Sequence, residues 1–297
     1  MFGRKNIVVP EWASVLKQKE YSLFISAVDD YFKRKGKPYT IDDGIVRFEG
    51  WDLGLVNLVQ MCAGIKPQEY AGFIEHHFGV TIEIMSFKES LAFDDFERMK
   101  QYIGVRLYDR EYTTVLGEEA VIRRPFAGEV FAVLVYDFPQ AIQIVPKSDA
   151  EKWGKTEEKL YAIGIENIRQ NYELTIQEVN IGEDTLFVVE AEHFFAPNIL
   201  FELEKNKKLI GKGGAIIGIP TRSLVMIYPI RDMKVIGALN VFFNNVTKFY
   251  KNGPGSLTKE IYWYRDGQYE TLNYEVGEKV KFTPSEAFLA LLDGGLE

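Results

Sequence analysis

The sequence predicts an α+β fold, with a mostly helical N-terminal module followed by a mainly antiparallel sheet that has helices packed on one face. Helix-like stretches dominate residues 1–100, whereas short β-branched and apolar runs dominate residues 101–297. From Glu129 onward, strands followed by a helix recur along the chain. Adjacent hairpins interspersed with helices favour such a sheet over a doubly wound parallel one. We therefore expect two parts, residues 1–100 and residues 101–297.

The first helix of the N-terminal module is predicted from Pro10 to Lys35 and ends at Gly36. Proline suits the first turn of a helix, and glycine is favoured just after the last one. The triplet from Asp42 to Gly44 is a turn signal between two short runs. The other predicted elements are a hairpin of Pro38–Ile41 and Ile45–Glu49, and helices over Leu53–Ala63, Pro67–Phe78 and Glu89–Tyr102.

The strongest strand signal lies in Gly213–Arg231, where Ala215–Ile219 and Leu224–Ile230 are apolar runs on either side of a short connection. Runs of this kind bounded by Gly and Pro indicate buried strands, so Ile217 is expected in a central strand and Arg222 in the connection. The remaining predicted elements are strands over Val105–Tyr108, Val121–Arg124, Glu129–Tyr136 and Gln140–Val145, a helix from Thr156 to Asn171, hairpins of Leu174–Asn180 with Thr185–Glu190 and of Ile261–Tyr264 with Tyr269–Asn273, and helices beginning at Pro197, Met233 and Pro284.

Composition and charge exclude several classes of function. The hydrophobic fraction of 46% and the charged fraction of 26% are typical of a globular protein with a substantial core. A formal charge of −8 argues against a protein that binds nucleic acid or an anionic membrane, because both need clustered Lys and Arg. The longest apolar run, Val130–Tyr136, is far too short to span a bilayer. This acidic chain is expected to be cytoplasmic.

Metal and cofactor sites are not indicated either. Cys62 is the only cysteine, so an intramolecular disulfide is impossible and a cysteine-based zinc site lacks ligands. His76 and His77 are adjacent on a predicted helix and therefore point in different directions, whereas a helical zinc motif needs histidines four residues apart. The sequence predicts no bound metal and no cofactor.

Several motifs follow one another in order between Val121 and Asn273. They are Ala162, Asn167 and Ile168 in a helix, the hairpin Ile176–Val189, the helix start Pro197-Asn198-Ile199-Leu200, the strand and turn Gly218-Ile219-Pro220-Thr221-Arg222, and Ile261-Tyr262-Trp263-Tyr264 followed by Asp266-Gly267. This order resembles the YtpQ-like family of bacterial proteins. The resemblance implies a shared fold and a cytoplasmic bacterial origin, and it carries no catalytic residues to this chain.

One candidate catalytic set is Glu190, Glu192 and His193, at the end of a predicted strand. Strand alternation places Glu190 and Glu192 on one face, where two carboxylates can serve as an acid–base or metal-binding pair. The alternative is a solvated strand edge.

A second candidate is an anion site built from arginines. Arg106 and Tyr108 share one face of a predicted strand, and Arg123 lies on a later strand. If those strands pair, a carboxylate or phosphate can bind between the guanidinium groups. Arg222 joins this site only if its turn faces the same edge. The alternative is an exposed strand with Asp109, Glu118 and Glu119 as ion-pair partners.

A third candidate is a contact surface on the Tyr262–Tyr269 hairpin. Period-two alternation places Tyr262 and Tyr264 on one face, which we expect to be outward, with Arg265 as a charged rim. Such a surface would bind a protein partner or form a homodimer. A helix covering the tyrosines is the alternative.

Taken together, these observations favour a noncatalytic cytoplasmic binding or adaptor protein. The reason is that no nucleophile and base, and no metal-ligand set, occur at a usable spacing. The alternative is an enzyme of unrecognised type that uses Glu190, Glu192 and His193.

Overall fold

The computed structural model describes residues 8–115, 117, 120–276, 280–294 and 296. It confirms the α+β class, with antiparallel sheets accompanied by helices. The chain divides into two compact units, Met1–Leu91 and Ala92–Glu297, whereas the sequence suggested a division after residue 100. None of the helices in the described ranges combines the length and the apolar character needed to cross a membrane.

The first unit is a helical module with one small antiparallel sheet of order β1-β2-β3. Helix α1 begins where the carboxylate of Glu20 accepts the Lys17 backbone N–H (2.8 Å) and ends at Gly36, which has φ 68°. The elements are a 3-10 turn at Glu11–Ala13, α1 (Gln18–Lys35), β1 (Tyr39–Asp42), β2 (Ile45–Phe48), β3 (Trp51–Gly54), α2 (Val56–Ala63), a 3-10 turn at Pro67–Glu69 and α3 (Tyr70–Glu89).

Helix α3 differs from its predicted extent, because it continues through Gly79 to Glu89. A glycine inside a helix costs only about 1 kcal/mol relative to alanine, which packing can offset. Ile82 and Met85, which follow Gly79 in this helix, pack against a core that includes Phe32 of α1. Tertiary packing therefore outweighs the local stop signal.

The second unit begins with a four-stranded antiparallel sheet of order β4-β6-β5, in which β7 pairs with β6. Its elements are α4 (Phe96–Met99), a 3-10 turn at Lys100–Tyr102, β4 (Ile103–Asp109), α5 (Arg110–Val115), β5 (Arg123–Ala127), β6 (Val130–Phe138), β7 (Ala141–Ile144), α6 (Lys147–Lys152) and α7 (Glu157–Asn171). Thr156 caps α7, and its hydroxyl accepts the Lys159 backbone N–H.

Two asparagine side chains cover the free edge of β4. The Asn167 amide donates to the backbone oxygen of Ile103 (2.8 Å), and the Asn198 amide donates to that of Val105 (2.9 Å). Unpaired edge carbonyls otherwise invite pairing with another chain. These asparagines, which belong to the motifs of the YtpQ-like resemblance, thus have a structural role.

The second sheet of this unit is antiparallel and has seven strands, in the order β14-β13-β12-β10-β11-β9-β8. Its elements are β8 (Ile176–Ile181), β9 (Asp184–Glu190), 3-10 segments at Ala196–Lys205 and Lys207–Leu209, β10 (Ala215–Thr221), β11 (Leu224–Pro229), α8 (Val235–Asn252), β12 (Ile261–Arg265), β13 (Gln268–Val276), β14 (Val280–Thr283) and α9 (Glu286–Leu292).

Strand β10 lies inside this sheet, between β11 and β12, and its residues Ala215–Thr221 are all buried. Ile217 is 0% exposed, which confirms the predicted central strand. Gly218 allows α8 to approach closely, because a Cβ there would lie 2.6 Å from the Val246 side chain. Helix α8 therefore packs directly on the middle of the sheet.

Candidate functional site

Arg106 is a charged residue on the inner part of β4. It lies opposite Val133 of β6, and Arg123 of β5 lies opposite the same residue from the other side. Directly opposed residues of antiparallel strands share a face. Arg106 and Arg123 therefore share a face across β6, with their backbones about 10 Å apart, two strand spacings. The sequence hypothesis required these two strands to pair with each other. They do not, because β6 lies between them.

Arg222 reaches Arg106 from the seven-stranded sheet. It occupies the two-residue turn between β10 and β11, and its backbone N–H donates to Gly255 (2.9 Å). The guanidinium carbons of Arg222 and Arg106 lie 4.8 Å and 5.3 Å from the ring centre of Tyr108. The turn thus faces Arg106, and this was the condition for including Arg222 in the predicted anion site.

The burial of Arg106 is unusual for a charged side chain. The residue is 8% exposed, and no carboxylate among the described residues lies within ion-pair distance of its guanidinium. Its one hydrogen bond donates from Nη1 to the hydroxyl of Tyr108 (3.4 Å), and its Nε has no partner in the part of the chain described. Burial lowers the pKa of Arg106, and the positive charge of Arg222 lowers it further.

Arg222 is only partly neutralised. Its Nη2 lies 3.8 Å from Oδ2 of Asp109, which is a long ion pair, and its side chain is 14% exposed. Its Nε is also buried and lacks a hydrogen-bond partner among the described residues. Two guanidinium groups with free donors therefore converge on one place.

Aromatic rings form the walls around the two arginines. The guanidinium of Arg106 lies 5.0 Å from the ring centre of Phe194 and 6.0 Å from that of Phe195. Tyr112, on α5, stacks on Tyr108 with ring centres 4.5 Å apart and is 40% exposed. The resulting site is cationic and lined by aromatic faces. We call Arg106, Tyr108, Phe194 and Arg222 the arginine site.

Arg123 is directed to other neighbours. Its Nη1 donates to the hydroxyl of Thr113 on α5 (2.6 Å), and its guanidinium lies 4.3 Å from the ring centre of Phe131. It shares a sheet face with Arg106 and is not one of the groups around Tyr108. The predicted pair of Arg106 and Arg123 is thus replaced by Arg106 and Arg222.

The candidate set of Glu190, Glu192 and His193 is not assembled as one site. Glu190 and Glu192 are exposed and line an open pocket of about 590 Å³ together with Phe194 and Ser223. His193 is not among the residues that line this pocket. The two carboxylates therefore lack the histidine that the hypothesis placed beside them.

His193 is engaged in local structure instead. Its Nδ1 accepts the backbone N–H of Phe195 (3.2 Å). Its ring lies on Tyr172, with centres 4.5 Å apart. Burial lowers the pKa of His193, which favours the neutral ring. The Nδ1 bond to the backbone and the contact with Tyr172 hold the imidazole against the segment after β9.

The described residues contain no cluster of side chains that could bind a metal ion. No three His, Cys, Asp or Glu residues there are grouped closely enough to hold an ion. Cys62 is buried, and burial raises the pKa of its thiol to about 11.

The prediction that Tyr262 and Tyr264 form an outward surface on the Tyr262–Tyr269 hairpin is wrong. Tyr262 is 0% exposed and Tyr264 is 5% exposed, because β12 lies between β10 and β13 and both of its faces are covered. The Tyr262 hydroxyl donates to Glu260 (2.8 Å), and that of Tyr264 donates to Glu204. Arg265 is exposed and pairs with its neighbour Asp266 (3.4 Å). The tyrosines are core residues.

Sequence reasoning missed Phe194, Phe195 and Tyr112 as parts of the site. A signal did exist for the two phenylalanines, since adjacent large rings directly after a strand cannot both enter the same core. Phe194 is half-buried and lies between Arg106 and the open pocket. No local sequence pattern pointed to Tyr112, because the short helix α5 that carries it was not predicted.

Comparison with known proteins does not indicate a function for this site. No family model matches the chain, and neither a curated protein nor a solved structure is similar to it. The resemblance to the YtpQ-like family therefore stays a prediction, and the function must be argued from the site.

Proposed function

We propose that this chain is a noncatalytic binding protein that holds the anionic group of a small ligand at the arginine site. The observation that carries the proposal is the buried guanidinium of Arg106, which has an unpartnered Nε and no carboxylate in contact among the described residues. Arginine stays charged in proteins, and buried charges are nearly always paired. An anion is the missing partner.

A bound anion would lower the energetic cost of burying the Arg106 guanidinium. Removing one ion from water costs several kcal/mol in a real protein. Contacts with the faces of Tyr108, Phe194 and Phe195 return about 0.5–2 kcal/mol each, and a single long hydrogen bond returns less than about 1 kcal/mol. Arg222 adds repulsion. A carboxylate or phosphate would relieve both the unpaired donors and the repulsion.

The catalytic alternative is supported less well. It needs a histidine near Glu190 and Glu192, but His193 does not line their pocket, and its Nδ1 accepts a backbone N–H. A protein partner bound through Tyr262 and Tyr264 is also not part of the proposal, because those rings are buried. A cytoplasmic location, a bacterial origin of the YtpQ-like type and no binding of nucleic acid complete the proposal.

The test is thermal unfolding in sodium phosphate, acetate or benzoate, compared with sodium chloride at equal ionic strength. A ligand that binds the native state at a hundred times its Kd stabilises it by about 2.7 kcal/mol. At least one of these anions should raise the Tm of the wild type and of Arg265→Gln, but not that of Arg222→Gln. Arg265 is the matched control because it is exposed and lies outside the site. Equal shifts in Arg222→Gln, or no shift with any anion, would overturn the proposal.

A further inference from the structure

The charges around the arginine site limit the charge of its ligand. Asp109 lies 3.8 Å from Arg222 and balances part of one positive charge. Asp137 lies on β6, on the same face as Val133 and Arg106, and accepts the hydroxyl of Tyr172 (3.0 Å). Burial raises the pKa of Asp137, and the Tyr172 hydrogen bond and the positive charge of Arg106 offset part of this rise. Asp137 therefore interacts electrostatically with Arg106. Asp109 and Asp137 together offset part of the positive charge of the two arginines.

A singly charged ligand fits the partly offset positive charge of the two arginines better than a dianion does. A phosphate monoester carries about −1.5 to −2 charge at pH 7 and would leave excess negative charge in a poorly solvated place. A carboxylate carries a single charge, and its planar oxygens match the guanidinium fork. The charge balance therefore favours a carboxylate.

The pocket next to the arginines indicates what the carboxylate is attached to. Phe194 contacts the Arg106 guanidinium and also lines the pocket of about 590 Å³. The apolar side chains of Leu224, Phe249 and Pro254 line the same pocket. Pockets of this volume accept a small organic ligand, and aromatic rings prefer aromatic walls.

Gly255 connects this pocket with Arg222. A Cβ at Gly255 would lie 3.2 Å from the Phe194 ring and 3.6 Å from Nη1 of Arg222, so the backbone at Gly255 is packed close to both side chains. Pro254, the preceding residue, lines the pocket. Arg222 therefore stands next to the wall of the pocket.

The glutamates of the pocket orient an anionic ligand. Glu190 and Glu192 are exposed and also line the pocket, so they repel a carboxylate from their side. The arginines attract it on the other side of Phe194. We infer that the ligand of the arginine site is a monoanionic aromatic carboxylate, with its ring in the pocket against Phe194 and its carboxylate toward Arg222. This inference rests on the proposed function.

The experiment is calorimetric titration of the full chain with four probes. Sodium benzoate carries the ring and the charge, benzamide carries the ring alone, acetate carries the charge alone, and inorganic phosphate carries more charge without a ring. Benzoate should bind with a Kd at least about tenfold lower than the other three, because it alone combines hydrogen bonds from a charged group with a ring that packs on Phe194. The comparison uses the wild-type chain, so it does not depend on the folding of any variant.

Two variants locate the binding. Arg222→Gln should weaken benzoate binding by about tenfold or more, whereas Arg265→Gln should leave its Kd unchanged. Phe194→Leu should weaken benzoate and leave acetate unaffected, because only benzoate has a ring to stack. Benzoate binding that survives Arg222→Gln unchanged would contradict the assignment.

The outcomes separate this inference from the proposed function. Phosphate or acetate binding as tightly as benzoate, with loss in Arg222→Gln, would overturn the aromatic carboxylate and leave the anion-binding protein in place. Benzamide binding as well as benzoate would overturn the role of the charge. The absence of binding by all three anions would remove both proposals.

Discussion

Replacement of Arg106 by methionine separates stability from ligand binding. Methionine has a similar length, is flexible and packs well against aromatic rings. The change removes a guanidinium that is 8% exposed, with an unpartnered Nε and with Arg222 close enough to lower its pKa. An arginine kept for packing alone and one kept for an anion predict opposite results.

The expected size of the effect follows from the contacts. The variant loses three ring contacts worth about 0.5–2 kcal/mol each and one hydrogen bond of 3.4 Å, and it regains the desolvation cost of an ion, several kcal/mol. Replacing buried ions by apolar residues is often neutral or stabilising. We expect Arg106→Met to be between neutral and about 2 kcal/mol more stable than the wild type, and to bind no anion.

The assay is urea unfolding without added anion, followed by fluorescence and circular dichroism so that the two units can be distinguished. Arg265→Met is the control and should change the free energy of unfolding by less than about 0.5 kcal/mol, as exposed substitutions do. A loss of more than about 2 kcal/mol in Arg106→Met would refute the reasoning, because it would mean that the ring contacts alone hold the arginine.

Three further predictions concern the fold. Ile217→Asp places a charge at a 0% exposed site and should cost several kcal/mol; a soluble variant that melts within a few degrees of the wild type would contradict this. The double variant Tyr262→Ser, Tyr264→Ser should lose several kcal/mol of stability without any specific effect on self-association, measured by calorimetry and ultracentrifugation. Hydrogen bonds from Lys33 and from the hydroxyl of Tyr39 lower the pKa of Asp29. This carboxylate therefore stabilises the fold above its unfolded pKa and ceases to do so as pH falls through its lower folded pKa. The cost of Tyr39→Phe should therefore be larger at pH 7 than in acid, and a cost independent of pH would count against it.

Most of the regular elements could be predicted from local pattern. Period-two alternation correctly placed Arg106 and Tyr108 on one strand face, and β10 with Ile217 follows from an apolar run bounded by Gly and Pro. Strands β3 and β14 were missed although both alternate apolar with polar or small residues, because four residues make a weak signal. Helix α3 was predicted too short because a local glycine was weighed above packing.

The parts of the site that were not predictable depend on contacts between distant segments. Whether Arg222 meets Arg106 is decided by the placement of the β10–β11 turn against β4, which no local pattern contains. The tyrosines of β12 were expected outside because alternation assumes one solvated face. In this sheet β12 is central and both faces are covered, so Tyr262 is as buried as Ile261.

The most direct test of the central claim is nitrogen-15 NMR of the arginine Nε–H groups during titration with sodium benzoate. The Nε atoms of Arg106 and Arg222 are the unpartnered buried donors, and their signals can be assigned by their loss in Arg106→Met and Arg222→Gln. If the arginine site holds an anion, both signals shift together and saturate with one Kd, while the signal of Arg265 stays in place. If the two buried signals do not move with benzoate, acetate or phosphate, the arginines are structural and the account is contradicted.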